Sequence, residues 1–245
     1  MSSIKLSVGI SYFVTNVYQF QELLRCLDPV YQNVHRIYAV DGRYTEFKHD
    51  LDYSIDGTNE ALRQRYPNIE IVKCCATQLV KRQIYLEMAQ EEEFLLVLDS
   101  DDYVHPDFVN WHLFYEELEQ VMEEKEMLYF LWFWISPNWK CSANPVVMET
   151  WQKYIRIHKR PGDQKYHMNH YTWRLKEDNS VNLNSLLAKK TLGGIKLTCD
   201  SLYRDEDFLK RKADWEQSDY LQEQSRLWVA LNKLEELSHV VFPKQ

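Results

Sequence analysis

Along the first hundred positions, short and nearly unbroken apolar runs alternate with stretches in which apolar residues recur at helical spacing. The runs at 5–13 (KLSVGISYF), 35–40 (HRIYAV), 69–74 and 94–98 (FLLVL) are too short for ordinary helices and predict buried strands. Between them, 19–27, 59–65 and 81–89 predict helices. The first stops before Pro29, whose ring cannot continue a helix. The second follows Asp56-Gly57-Thr58, with Thr58 as the expected N-cap. Pro106 is expected to open a long helix through about residue 124, with Phe114, Leu118, Val121 and Met122 at helical spacing. Such alternation predicts an α/β fold, a mostly parallel sheet covered by helices, with ligands at the carboxyl ends of the strands.

The second half is less regular. Residues 129–135 (YFLWFWI) predict a strand and 136–144 a loop containing Pro and Trp. Residues 151–176 mix Trp, Tyr, His, Arg and Lys, and 206–238 predict one or two helices of mixed charge. No repeat or low-complexity linker divides the chain. One domain over 1–203 with a helical C-terminal extension over 204–245 is expected.

Composition narrows the function. With 45% hydrophobic and 27% charged residues among 245, the chain has the makeup of a folded globular protein. Only 6 glycines argue against repeated glycine-rich phosphate loops. A net charge of -8 gives no support for nucleic-acid binding. The 5 cysteines are odd in number and irregularly spaced, which favours reduced thiols over a disulfide framework or a zinc site. No run approaches the ~20 apolar residues of a membrane span, and the first residues lack a signal-like cleavage region, so a cytoplasmic protein is expected.

The candidate chemistry lies where apolar strands end. The run at 94–98 stops at Asp99-Ser100-Asp101-Asp102, three carboxylates within four positions. Their mutual repulsion calls for a positive partner. A hard divalent ion, Mg²⁺ or Mn²⁺, suits oxygen ligands whose shell a diphosphate completes. The alternative is that Asp102 caps a short turn and the others are solvated. The second predicted strand ends likewise at Asp41-Gly42, where Asp41 either accepts hydrogen bonds from a ligand or caps the turn.

Several motifs occur together in order: 8–13 at the first strand, Val40-Asp41-Gly42, Ser54-Ile55-Asp56-Gly57-Thr58, 78–85 (QLVKRQIY) with its Lys-Arg pair, and Asp99 to Asp102. In this series the chain resembles the GT-A glycosyltransferases, particularly the family 2-like branch with a DXD motif, over roughly residues 4–110. The resemblance implies a GT-A, Rossmann-like sheet with a donor half at about 1–110 and an acceptor half at about 111–203. It implies transfer from a nucleotide-diphosphate sugar, a UDP- or GDP-sugar, to a hydroxyl of a carbohydrate or other acceptor, assisted by Mn²⁺ or Mg²⁺ and inverting. Donor contacts would come from Tyr12, Asp41, Gly42, Asp56, Lys81, Arg82, Asp99 and Ser100, with Asp99 on the ribose. Asp101 would hold the metal, with Asp99 and Asp200 as further candidates because 193–203 lacks the histidine some of these enzymes use. Arg204 would reach the diphosphate. Within Lys176-Glu177-Asp178, Asp178 is the expected general base, with Asp200, Asp205 and Asp207 as rivals.

The stretch from Asp41 to Asp56 is longer than the family's compact turn. His167, His170, Tyr171 and Trp173, set among polar residues, suit an acceptor site. Trp132 and Trp134, on an apolar strand, are expected to pack in the core. A metal site from His158, His167 and His170 is disfavoured by the lack of compact spacing. The competing readings are a haloacid dehalogenase-like phosphotransferase, which places its Asp pair near the chain start, and a non-catalytic sugar- or nucleotide-binding protein on the same scaffold.

Overall fold

The computed structural model describes residues 4–45, 48–135, 150–167, 169–177 and 187–199. The order is β1 (Leu6–Tyr12), α1 (Val17–Leu27), β2 (Ile37–Asp41), α2 (Thr58–Arg65), β3 (Ile69–Lys73), α3 (Gln78–Met88), β4 (Phe94–Asp99), β5 (Asp102–Val109) and α4 (Trp111–Val121). Then come β6 (Leu128–Ile135), β7 (Thr150–Lys159), β8 (Gln164–His167), β9 (Asn169–Leu175) and β10 (Leu187–Cys199). Eight strands form one sheet in the order β3-β2-β1-β4-β7-β6-β10-β5, and β8-β9 form a separate hairpin. The first four are parallel, β7 runs antiparallel to β4 and β6, and β10 is parallel to β6 and antiparallel to β5. The expected α/β architecture, a mostly parallel sheet flanked by helices, is the one observed.

Both faces of the central strands are covered, which is why β2 and β4 are continuous apolar runs and why Ser7, Gly9 and Ser11, alternating with the apolar residues of β1, are buried as well. On one face Val8, Ile10, Leu96 and Leu98 pack with Leu23 and Leu27 of α1 and Phe114 and Leu118 of α4. On the other, Val40, Leu95 and Val97 pack with Tyr85 and Leu86 of α3. Each fully buried side chain of this size contributes about 1.5–3 kcal/mol. Register then fixes the functional edge: Tyr12 lies beside Asp41 and Ser11 beside Asp99. The ends of β1, β2 and β4 therefore meet along one side of the sheet.

Three sequence expectations are corrected. Pro106 does not open a helix; it lies within β5, where the ladder to β10 is interrupted between Val104 and Val109. A proline is tolerated there because its missing N–H faces no partner. The helix starts only after Asn110, whose side chain accepts a hydrogen bond from the Leu113 N–H at 3.0 Å. Nor is Thr58 an N-cap: it is the first helical residue, and the cap is Gly57 at φ +85°. Trp132, expected in the core, is half-buried with the Lys153 ammonium 4.7 Å above its ring; the side chain of Trp134 lies outside the described residues.

On β7, His158 is buried beside Tyr166, with Nδ1 2.8 Å from Gln164 Oε1. Burial, with the guanidiniums of Arg82 and Arg156 adding, pushes its pKa down to about 4 despite that hydrogen bond. Because the unfolded chain takes up this proton near pH 6.5, the folded state loses stability as pH falls from 6.5 towards 4. The loss should reach about 2 kcal/mol at pH 5. Urea unfolding at pH 7.5 and 5.0 checks it: His158→Gln should lose about that much less between the two pH values, and an equal slope would place the acid sensitivity elsewhere.

Candidate active site at the carboxyl edge of the sheet

β4 delivers Asp99 to the edge, and the chain turns at once into β5 through Ser100 and Asp101, both half-buried. Asp102 folds back so that its Oδ2 accepts the Asp99 N–H at 3.0 Å. Two arginines reach the cluster from different elements. Arg82 of α3, 6% exposed, donates through Nη2 to Asp99 Oδ1 and through Nη1 to Tyr85 Oη at 3.2 Å. Arg156 of β7 donates through Nη1 to Asp99 Oδ2 at 3.1 Å and pairs through Nη2 with Asp102 Oδ2 at 2.7 Å. Burial alone would raise the Asp99 carboxyl, but the two guanidiniums outweigh it and hold the group well below the usual carboxylate range. Asp102 is pushed the other way, by burial first and then by Asp99 and Asp101. Asp99, with its side chain 36% exposed at the edge, is thus held ionised.

The ends of β1 and β2 are tied by Lys81. Its ammonium is buried, donates to the carbonyls of Gly42 and of Tyr12 (3.2 Å), and lies 4.4 Å above the Tyr44 ring. Burial lowers its pKa to about 8. The Lys81 ammonium, a candidate for carboxylates or a donor diphosphate, is here enclosed by backbone carbonyls. Arg82, expected to pair with either carboxylates or diphosphate, pairs with a carboxylate.

Asp41 is also enclosed. Its Oδ1 accepts from the Ser54 N–H (3.1 Å) and hydroxyl (2.6 Å), and its Oδ2 from Asn59 Nδ2 at 2.8 Å. Tyr12 donates its hydroxyl to Asn59 Oδ1. The Ser54-to-Thr58 turn is thereby fastened to the end of β2, while Asp56 stands exposed in it. The long stretch after Asp41 forms an open recess of about 570 Å³ lined by Arg43, Thr45, Lys48, His49 and Asp50. Tyr44 turns back to the sheet, its hydroxyl 2.7 Å from Ser11 Oγ.

The structure therefore brings Tyr12, Asp41, Gly42, Lys81, Arg82, Asp99, Ser100 and Asp101 to one edge. The backbone of His167, His170, Tyr171 and Trp173 lies on the β8–β9 hairpin, and their side chains lie outside the described residues. Asp178, Asp200, Arg204, Asp205 and Asp207 also lie outside them. Sequence reasoning missed Arg156 and Tyr44. Arg156 had a signal: in Ile155-Arg156-Ile157-His158 apolar and basic residues alternate with the period of a strand.

An ion of the Mg²⁺ or Mn²⁺ type fits these residues in one manner. Among the described residues no three His, Cys, Asp or Glu side chains converge on a point, so they build no all-protein cage. Hard ions of this kind are commonly held by one or two carboxylates and complete their shell with phosphate oxygens. Asp101 and the partly exposed Asp99 supply that oxygen donor set.

Comparison of the sequence with protein-family models and with curated proteins gives no match. Among solved structures, the chain is similar to TarS 1–349 from S. aureus, with 15% identity and a TM-score of 0.44 over 84% of this chain and 63% of that one. It is also similar to GalNAc-T7 with UDP, GalNAc and Mn²⁺, with 9% identity and a TM-score of 0.48 over 89% of this chain and 49% of that one. The chain spans less than two thirds of the length of either.

Proposed function

We propose that the protein is a glycosyltransferase that moves a sugar from a nucleotide-diphosphate sugar to an acceptor hydroxyl. The observation that carries this reading is the Asp99–Asp102 cluster, set at the carboxyl edge of a parallel sheet beside the ends of β1 and β2 and faced by the buried Arg82 and the half-buried Arg156. Crevices outside the carboxyl ends of such strands are where α/β sheets bind nucleotides. The motif series described above gives the edge its assignment.

In this reading Asp99, ionised and oriented by both guanidiniums, accepts hydrogen bonds from the ribose hydroxyls. Asp101 holds the divalent ion against the donor diphosphate. When bound, the ion offsets the charge that grows on the leaving nucleoside diphosphate. Asp41 acts as a scaffold, keeping the Ser54-to-Thr58 turn in place so that the donor meets a fixed wall. The basic recess after Gly42 offers room for the nucleotide.

The acceptor side is assigned to the β8–β9 hairpin. This hairpin docks on α3, with Tyr166 N–H donating to Gln83 Oε1 at 3.0 Å and the hydroxyls of Tyr85 and Tyr166 3.2 Å apart. It is thus held to the helix that sends Arg82 to Asp99. Asp178, just past the end of β9 at Leu175, is the proposed base that takes the acceptor proton; His167, His170, Tyr171 and Trp173 would line the acceptor. Inversion follows from a single in-line displacement with that base. No helix among the described residues is long and apolar enough to cross a membrane.

Calorimetry with UDP and GDP tests the reading. Binding of at least one of them should require Mn²⁺ or Mg²⁺, and should be lost with EDTA and in Asp101→Ala. Affinity that is indifferent to EDTA, or an absence of binding to both nucleotides, rejects it.

A further inference from the structure

Arg156 differs from the other cations at this edge. The β6–β7 register passes from Tyr129↔Ile157 to Phe130↔Ile155 and skips it, so Arg156 sits at a bulge. Bulges re-aim a side chain and are over-represented beside active sites. Its guanidinium bridges two carboxylates, on Asp99 and Asp102. Its Nε is buried and finds no hydrogen-bond partner among the described residues, a costly condition for a donor. The side chain therefore balances charge here without satisfying its own hydrogen bonds. Arg82 Nε is likewise buried without a partner among the described residues, but Arg82 is more deeply buried and is anchored to Tyr85 as well as to Asp99.

Charge makes this arrangement conditional. Asp99, Asp101 and Asp102 face Arg82 and Arg156, close to balance without any ion. A divalent cation placed on Asp101 and Asp99 adds two positive charges beside two guanidiniums, and at such distances the repulsion is large. One of the arginines must give way, and the geometry favours the one that sits on the bulge, is the less deeply buried and has no tyrosine anchor like that of Arg82. Resting on the reading of the site given above, we propose that Arg156 is an exchangeable counter-ion: it bridges the Asp99 and Asp102 carboxylates in the ligand-free protein and releases Asp99 to a divalent cation held with Asp101. Its presence keeps the affinity for the bare cation low.

Mn²⁺ alone, titrated by calorimetry into wild type, Arg156→Gln and Arg43→Gln, tests the proposal. Arg156→Gln removes a charge-assisted competitor and should bind Mn²⁺ about tenfold more tightly or better. Arg43 pairs with Asp52 at the same sheet edge; its removal should change Mn²⁺ affinity less than about twofold, as expected of a charge already paired with another carboxylate and screened by solvent. Unchanged or weaker Mn²⁺ binding in Arg156→Gln, equal tightening in Arg43→Gln, or no detectable Mn²⁺ binding in any of them overturns the exchange. If circular dichroism shows that Arg156→Gln does not fold, Arg156→Lys decides, since it keeps the charge but loses the planar fork: tighter Mn²⁺ binding supports the proposal and unchanged binding overturns it. Failure of the functional reading is read separately. A wild type that binds Mn²⁺ but neither UDP nor GDP sinks the nucleotide-sugar assignment and leaves the exchange standing. A wild type that binds UDP with Mn²⁺, while Arg156→Gln leaves Mn²⁺ affinity alone unchanged, sinks only the exchange.

Discussion

Asp99→Asn should lower folding stability by about 3–5 kcal/mol, the usual cost of removing one partner from a buried ion pair. The cause lies on the other side of the pair. Arg82 is 6% exposed, and Asp99 is the carboxylate it meets. With an amide in its place, a guanidinium stays enclosed by Tyr85 and α3 with no counter-charge. For a chain of this length the change corresponds to a fall in Tm of about 10 °C. Urea unfolding of wild type, Asp99→Asn, Arg82→Met and the double variant separates the terms. Apolar replacement of a whole buried pair is often close to neutral, so the double variant should be more stable than Asp99→Asn alone. A double variant that simply adds the two single losses would show that the pair is not coupled.

Gly42→Ala should cost about 3 kcal/mol or more, because two demands coincide at one Cα. Gly42 has φ +146°, a region that side chains rarely adopt, and a Cβ there would meet the Cys74 carbonyl oxygen at 2.4 Å. That neighbour is backbone of the strand-end next door and cannot swing aside. Gly42 also donates its N–H to the Tyr12 carbonyl at 3.1 Å and accepts from Lys81, so displacement would loosen the junction of β1, β2 and α3. Gly57 provides the contrast: it too has positive φ, at +85°, but a Cβ there meets nothing within 4 Å. Gly57→Ala should therefore cost only about 1 kcal/mol, the backbone part alone. Thermal unfolding of both variants gives the comparison, and equal losses would show that crowding at Cys74 is relieved by backbone movement.

The donor half was legible because its central strands, β1, β2 and β4, are buried on both faces. Residues such as FLLVL at 94–98 leave no polar position to confuse the period, and each run ends at a residue whose polarity marks the sheet edge. Pro106 was misread for a physical reason: the same rigid φ suits a first helical turn and an unpaired edge position, and only the capping side chain of Asn110 tells where the helix starts. The strands from β7 to β9 were hidden for another reason. On β7 and β8, His158, Lys159 and Gln164 are buried by pairing rather than by apolar character, so no long apolar run marks these strands. Within the candidate site, the sequence located the carboxylates but not their neutralisers. Lys81 and Arg82 are adjacent, yet one faces backbone carbonyls and the other a carboxylate. That division depends on how α3 is rotated over β1, which no local pattern encodes.

Pro106 bears on how the molecule keeps to itself. Among the described residues β5 is the outermost strand on its side of the sheet, and its second half, from Pro106 to Val109, is exposed. An exposed strand with free amides is a template on which another chain can extend the sheet. Here that stretch opens with a residue that has no amide hydrogen to offer, and its register against β10 is already broken. An incoming strand would find neither a complete row of donors nor a straight rail to align with. The irregularity that disguised this segment in the sequence thus acts as a guard against edge-to-edge aggregation.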